Sequence, residues 1–254
     1  MIKAKGMCSI SFRGLTVEEL IELIKENKLD SIEWGGDVHV PAGDIETAKR
    51  VKDLCEKAGI ETSSYGSYFR VGVDADFEKV CKTAKALGTD VIRVWASDKD
   101  AEDFTEQEYI ELVKALKDCA IIAKNYGQII AFEYHYLTFC NKADDILRLI
   151  KDCGMDNVYT YWQPAYWVND YWQKGFSEEQ RIEYNLSEIA KLKDKIVNVH
   201  VYSWRGEERF ALSNDHDEWA RYIKALPDVN GYMEFVKDNT LENFRLDAKE
   251  FLSL

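Results

Sequence analysis

Four apolar segments in the second half of the chain carry polar side chains that can bind a metal ion or move a proton. The segments are IIAFEYH (with Glu133 and His135), YWQP (Gln163), NVHV (His200) and YMEF (Glu234). Burying an unpaired carboxylate is unfavourable, and a divalent cation removes that penalty because it stabilises the ionised form. Two carboxylates and an imidazole would form a mixed oxygen and nitrogen site. Alternatively, the glutamates are in salt bridges and the histidine is a hydrogen-bonded core residue.

Eight short runs of apolar or β-branched residues must position these side chains. They recur about every thirty residues, as in repeated strand–helix units, at 8–12, 31–34, 61–65, 91–95, 129–133, 158–162, 197–201 and 231–235. Eight units in 254 residues predict an α/β fold, a (β/α)8 TIM barrel, with residues 1–254 as a single domain. Active sites of such barrels lie at the carboxyl ends of the strands, where the polar residues fall.

The segments between these runs have the pattern of amphipathic helices. Residues 16–30, 76–88 and 108–127 place apolar side chains at the 3.6-residue period. Thr16 followed by Glu19 matches a capping box, and Gly88 stands where a helix end favours a residue with positive φ. These signals predict three of the helices that surround the barrel.

Aromatic and basic residues at the strand ends are candidates for contacts with a ligand. Trp34, Trp95, Trp162 and Trp204 could seal the top of the barrel or stack on a sugar ring, and the sequence leaves both roles open. Three basic residues are also candidates. They could be ordinary surface charges, or one of them could hold a phosphate or carboxylate of a ligand. These are Arg13, Arg70 and Arg205.

Composition excludes some classes of protein. The formal net charge of −13 disfavours nucleic-acid binding, which needs a basic surface. No apolar run approaches the roughly 20 residues that cross a membrane, and the first residues, which have no long apolar segment, lead us to expect no secretory signal. The six cysteines form no C-x-x-C pair, so we expect reduced thiols and a cytoplasmic location.

Several motifs together resemble one known family. EWGGDVHVPAGD (33–44), SSYGSYFRVG (63–72), IRVWAS (92–97), FEYH, YWQP and NVHVYSW are similar to motifs of the sugar phosphate isomerase/epimerase group of xylose isomerase-like TIM barrels. The resemblance implies one divalent metal ion, Mn, Mg, Co or Zn, held at Glu133, Gln163, His200 and Glu234. Gln163 replaces the usual Asp or His, so we expect weaker metal binding because an amide brings no negative charge.

The same resemblance implies a reaction and a substrate class. In related ketose epimerases two glutamates exchange a proton next to a carbonyl through an enediolate, and Glu133 and Glu234 match them. The predicted partner is a small carbohydrate or sugar phosphate, with a homo-oligomeric state expected from relatives. The predicted substrate-binding residues are Trp34, His39, Tyr68, Trp95, His135, Trp162 and Arg205.

Three alternatives remain open. Isomerisation by hydride shift would use two metals, and the sequence shows no convincing second set of carboxylates, although Asp215 and Asp217 are available, so proton transfer is preferred. An abasic-site nuclease like endonuclease IV would have a histidine where this chain has Tyr166, and the net charge also disfavours it. The third alternative is a metal-free relative that binds a sugar or keto acid, or acts as a lyase.

Overall fold

Eight parallel strands close into a barrel in the computed structural model, which describes residues 1–165, 175–206 and 208–254. Each strand pairs with its neighbours in sequence, and the eighth pairs with the first. The predicted (β/α)8 barrel is therefore confirmed. The barrel strands are β1 (Ile2–Cys8), β2 (Ser31–Gly35), β3 (Glu61–Val71), β4 (Val91–Ala96), β5 (Ile129–Phe132), β6 (Val158–Trp162), β7 (Ile196–Val201) and β8 (Val229–Met233).

Eight α-helices lie within the described ranges, and none of them is long and apolar enough to cross a membrane. A short antiparallel hairpin, Trp204–Arg205 with Glu208–Arg209, follows β7. The helices are α1 (Val17–Glu26), α2 (Ile45–Ala58), α3 (Phe77–Leu87), α4 (Glu106–Asn125), α5 (Ala143–Cys153), α6 (Glu178–Leu192), α7 (His216–Ala225) and α8 (Leu241–Ser253).

Local capping explains where several helices begin and end. The Thr16 hydroxyl accepts a hydrogen bond from the backbone of Glu19, and the Glu19 carboxylate accepts one from the backbone of Thr16, so the predicted capping box of α1 is confirmed. Gly88 ends α3 at φ 88°, a conformation that a side chain would strain. The three predicted helices are confirmed, with α1 ending four residues earlier than predicted because Asn27 already leaves the helical conformation.

The first strand differs from the predicted run at 8–12, because β1 spans Ile2–Cys8 and Ser9–Phe12 forms a 3-10 helix. The first four residues of the strand alternate between buried apolar residues and lysines, so this part of the sequence looks like a charged terminus. The serines of the 3-10 helix tie it to neighbouring strand ends. The hydroxyl of Ser9 accepts from the backbone of Gly35, and that of Ser11 accepts from the backbone of Phe235, each at 2.8 Å.

Asp247 links α8 to the segment before α7, and its buried carboxylate accepts a hydrogen bond from the backbone of Leu212 at 2.9 Å. Burial raises the pKa of Asp247 to about 6. The folded state therefore binds a proton that the unfolded state releases above about pH 4.

We expect the free energy of unfolding to rise as the pH falls from 7.5 to 5.5, and to rise more in the wild type than in Asp247→Asn. The asparagine keeps the acceptor for Leu212 but cannot titrate. Urea unfolding at four pH values measures both slopes. Equal slopes would show that the carboxyl of Asp247 does not titrate in this range.

Candidate active site

Six polar side chains converge at the carboxyl end of the barrel, and all six residues are buried. Three lie on β2, β4 and β7, and three lie just past the ends of β5, β6 and β8. The structure thus brings together the four residues predicted as metal ligands and adds two charged residues to them. The set is Glu33, Arg93, Glu133, Gln163, His200 and Glu234.

Oxygen atoms from three residues surround one nitrogen of His200. Its Nδ1 lies 3.1 Å from Oε1 of Gln163, 3.4 Å from Oε2 of Glu234 and 3.7 Å from Oε1 of Glu133. The amide nitrogen of Gln163 donates to the backbone oxygen of Tyr134 at 2.7 Å, which turns the amide oxygen toward His200. Ligands bound at about 2.1 Å to one ion lie about 3.0 to 3.5 Å apart. Gln163 and Glu234 match this spacing from His200, and Glu133, at 3.7 Å, lies just beyond it. His200 and Glu234 also form, with Cys8, a group whose ligand atoms all lie within 4.8 Å of one another.

Arg93 joins two of the carboxylates beneath this cluster. Its Nε donates to Glu33 at 2.9 Å, and its Nη1 donates to Glu133. The other oxygen of Glu33 accepts from the hydroxyl of Ser64 at 2.7 Å. Buried charges are stable only when they are paired and hydrogen-bonded, and this arrangement satisfies both conditions for the two glutamates.

The environment of the cluster lowers the pKa of two glutamates and raises the pKa of the histidine. Burial disfavours ionisation of Glu33 and Glu133, but the Arg93 guanidinium acts together with nearby imidazoles and hydrogen-bond donors to lower the pKa of both carboxyls. Burial also opposes protonation of His200, yet the neighbouring Cys8 and Glu234 raise the pKa of its ring well above the usual range. A proton and a cation would compete for Nδ1, because a metal ligand must be a neutral imidazole.

Gly66 gives this charged cluster its space. It pairs with Arg93 across β3 and β4. A Cβ atom at Gly66 would lie 2.6 Å from Nη2 of Arg93 and 3.0 Å from Oε1 of Glu33. Any larger residue would push the guanidinium from the carboxylate, so the glycine is required by close approach.

A cavity of about 170 Å³ opens above the cluster, with Glu133, Gln163 and Glu234 among its lining residues. Its aromatic lining includes Tyr68 and Phe235, which have positive φ values of 58° and 55°. Side chains rarely adopt this backbone conformation, and such strain is concentrated at functional sites. In β3 the pairing register shifts around Tyr68, and the resulting bulge directs its ring to the cavity.

Three residues predicted to bind substrate line this cavity: Tyr68, Trp95 and His135. The indole nitrogen of Trp95 donates to Glu133, and its ring stacks on His135 with centroids 5.5 Å apart. Trp95 therefore both forms the wall and orients a carboxylate.

The other four residues predicted to bind substrate lie outside the cavity lining. Trp34 and Trp162 are fully buried, and Trp162 packs on Tyr222 with centroids 5.1 Å apart. The ring nitrogens of His39 lie near Ser9 and the backbone of Leu15, at 3.0 and 3.1 Å, and Arg205 forms a forked ion pair with Asp215. The cavity geometry gives no support for substrate contact by these four residues.

The sequence interpretation assigned no role at the site to three residues that the structure places there. Glu33 and Arg93 are charged residues within apolar strands, the same signal that identified Glu133. Cys8 has no such signal, yet its sulfur lies 3.7 Å from Glu33 and close to the donor atoms of His200 and Glu234. Arg13, one of the three arginines considered from the sequence as an anion-binding group, lines the cavity mouth. All six cysteines are free thiols in the structure.

We expect Arg93→Met to lower the free energy of unfolding by about 3–5 kcal/mol at pH 7, because it leaves buried carboxylates without a counter-charge. The difference in unfolding free energy between this variant and the wild type should narrow as the pH falls below about 4. In that range carboxylates with a lowered pKa become protonated, and the wild type loses the stability that they contribute. Urea unfolding across this range provides the measurement. Arg50→Met, at an exposed ion pair with Glu18, is the control and should cost less than about 1 kcal/mol. Equal losses in both variants would contradict the role of Arg93.

Comparison with known proteins places the chain in a family. The model of the xylose isomerase-like TIM barrel family matches residues 21–236. A 3-dehydroshikimate dehydratase of Bacillus anthracis is 24% identical over 200 residues, covering 68% of this chain and 71% of that protein.

Solved structures with low sequence identity share the fold. The crystal structure of a probable 3-DHS dehydratase of Bacillus anthracis has a TM-score of 0.78 at 19% identity, covering 99% of both chains. The 3-keto-D-glucoside 4-epimerase of E. coli has a TM-score of 0.70 at 14% identity, covering 100% of this chain and 99% of that one. A D-psicose 3-epimerase has a TM-score of 0.66 at 16% identity, covering 98% and 97%. The family match spans well over half of the sequence, and the chain belongs to the xylose isomerase-like TIM barrel family.

Proposed function

We propose that this protein is a divalent-metal-dependent isomerase or epimerase, which moves a proton on the carbon next to a carbonyl of a carbohydrate or sugar phosphate. The observation that carries the proposal is the convergence of Glu133, Gln163 and Glu234 on Nδ1 of His200. These four side chains would hold the ion. When bound, it would polarise the carbonyl and stabilise the negative charge that develops on the substrate oxygens.

The two glutamates would move the proton. Glu133 and Glu234 both line the cavity, so each can reach a carbon held between them. One would remove the proton, which leaves an enediolate, and the other would return a proton on the opposite face. Epimerisation requires both carboxylates, since inversion delivers the proton from the side opposite to its removal.

The cavity supports a small substrate of the carbohydrate type. Its volume of about 170 Å³ is smaller than the roughly 300 Å³ at which drug-sized pockets begin. Aromatic faces of Trp95, Trp204 and Phe235 lie in its lining, beside the polar carboxylates and amide. Apolar walls with a few convergent polar groups suit a compact polyhydroxylated molecule.

A second function, dehydration of a hydroxy-ketone, is favoured by one feature of the site. Oε2 of Glu133 accepts hydrogen bonds from both Arg93 and Trp95, which makes this carboxylate a weak base. Glu234 has no arginine partner among the described residues and is the more available base. Glu234 would remove the proton next to the carbonyl and then give it to the neighbouring hydroxyl, which leaves as water while the carbon–carbon double bond forms, so one such group is sufficient. The dehydratase relative from Bacillus anthracis is consistent with this candidate.

We expect protein purified without chelator to contain nearly one equivalent of Mn, Co or Zn, and His200→Ala to lose it. Gln163→Asp should bind Mn²⁺ more tightly than the wild type, because it adds a negative charge next to the ion. Elemental mass spectrometry and Mn²⁺ titration followed by electron paramagnetic resonance measure these effects. His216→Ala, at an exposed histidine paired with Glu250, is the matched control and should retain the metal. A wild type that takes up no metal even after soaking would overturn the metal-dependent reaction.

Turnover in D₂O separates the two candidate reactions. A panel of ketoses, their phosphates and 3-dehydroshikimate is incubated with metal-loaded protein and followed by NMR and mass spectrometry. An epimer or isomer with one deuterium at the carbon next to the carbonyl supports the first function, and loss of one water supports the second.

We expect Glu234→Gln to slow either reaction at least about 100-fold, since it removes the base. Glu133→Gln should abolish epimerisation as well, whereas a dehydration should retain more activity in this variant than in Glu234→Gln. Glu111→Gln, on the exposed face of α4, is the control and should turn over like the wild type. Full activity in Glu234→Gln would exclude it as the base.

A further inference from the structure

The structure distinguishes between the three arginines that could hold an anionic group. Arg70 lies 4.0 Å from the ring centroid of Trp95 and donates to the backbone oxygen of Ser97. Arg205 is bound to Asp215. Of the three, only Arg13 lines the cavity. It is therefore the arginine whose position relates it to a substrate.

The Arg13 guanidinium is held in a defined orientation at the cavity mouth. Its Nε donates to Oδ2 of Asp37 at 2.6 Å, and its Nη2 donates to the hydroxyl of Tyr68 at 3.2 Å. A guanidinium has five N–H donors, so these two bonds leave three for another acceptor. The side chain is 45% exposed, which leaves those donors accessible from solvent.

The backbone supports this position on both sides. Arg13 directly follows the 3-10 helix whose Ser9 and Ser11 are bonded to the segments after β2 and β8. Tyr68 reaches Arg13 from a strained backbone at φ 58° in the bulge of β3. Strain of this kind persists only where surrounding structure enforces it, and here it brings a hydroxyl against the guanidinium.

The inner end and the mouth of the cavity differ in charge. Glu133 and Glu234 lie beside His200, and the donors of Arg93 are directed to Glu33 and Glu133. An anionic group would be repelled from those carboxylates, but at the mouth it would meet Arg13. A substrate with its carbonyl at the metal-binding cluster and its anionic group at the mouth would match both ends.

We propose that Arg13 and the hydroxyl of Tyr68 form a subsite for an anionic substituent, a carboxylate or a phosphate, of the substrate. This inference rests on the proposed function, since it takes the cavity as the substrate site. It defines the substrate class as acids rather than neutral sugars. Asp37 orients the guanidinium and also competes with the substrate anion for its charge.

The test measures binding rather than turnover, so it does not depend on which reaction the site performs. Isothermal titration calorimetry is carried out on the full chain, with and without Mn²⁺, using D-fructose, D-fructose 6-phosphate and 5-keto-D-gluconate as neutral, phosphate and carboxylate probes. The variants are Arg13→Gln, Arg13→Lys and Asp37→Asn. The control is Arg50→Gln, which makes the same charge change at an exposed pair on α2. Thermal melting shows whether each variant is folded.

We expect the wild type to bind one anionic probe more tightly than D-fructose. Arg13→Gln should weaken that probe at least about tenfold and leave D-fructose unchanged, because charge-assisted hydrogen bonds are strong. Arg13→Lys should restore part of the affinity, and Asp37→Asn should increase it by removing the competing carboxylate. The probe that responds identifies phosphate or carboxylate as the group.

Two results would overturn the subsite. One is a wild type that binds neither anion more tightly than D-fructose. The other is equal weakening of the anionic probe in Arg13→Gln and Asp37→Asn, which would show an ion pair that only supports the mouth. Loss of turnover with selective anion binding intact would count against the proposed reaction and leave the subsite standing.

Discussion

The buried guanidinium of Arg93 is the constraint on which the candidate site depends. It binds Glu33 on one side and Glu133 on the other, and so connects β4 to β2 and to the end of β5. Without it, these carboxylates and Glu234 would share a closed interior with one imidazole. Their mutual repulsion and desolvation would then oppose folding of the barrel top. The positive charge of Arg93 makes the acidic cluster compatible with burial. The cluster remains negatively charged overall, so it still attracts a cation.

Packing around the ion pairs fixes which atoms face the cavity. Oε2 of Glu133 is occupied by Arg93 and Trp95, so Oε1 is the oxygen that faces His200. Gln163 is fixed in the same way, because its amide nitrogen is bonded to Tyr134. In both residues the outer hydrogen bonds leave one oxygen directed at Nδ1 of His200. Such outer contacts orient metal ligands in proteins generally.

Strand alternation explains how much of the site the sequence could predict. The spacing of the apolar runs was sufficient to predict the barrel and to place Glu133 and His200 at the same end of it. To predict which tryptophans face the cavity, one must also know which residues of each strand point inward, because successive side chains point to opposite faces. Trp95 follows Arg93 by two residues and shares its face, whereas Trp34 follows Glu33 by one and packs against the helices. The position of Arg13 could not be predicted, because it depends on a 3-10 helix and a bulge in a different strand.

The unequal surroundings of the two glutamates have a consequence for the chemistry. Glu133 is stabilised in its ionised form by Arg93, which suits a permanent ligand better than a group that must take and return a proton. Among the basic side chains of the described residues, only His200 has a nitrogen within 4 Å of the Glu234 carboxylate. An epimerase at this site would have to weaken the bond between Arg93 and Glu133 during each cycle, for example by moving charge to the bound substrate. A dehydratase would have no such requirement, since Glu234 alone could remove the proton. The strength of the Arg93–Glu133 ion pair in the substrate complex is therefore the physical quantity that separates the two chemistries.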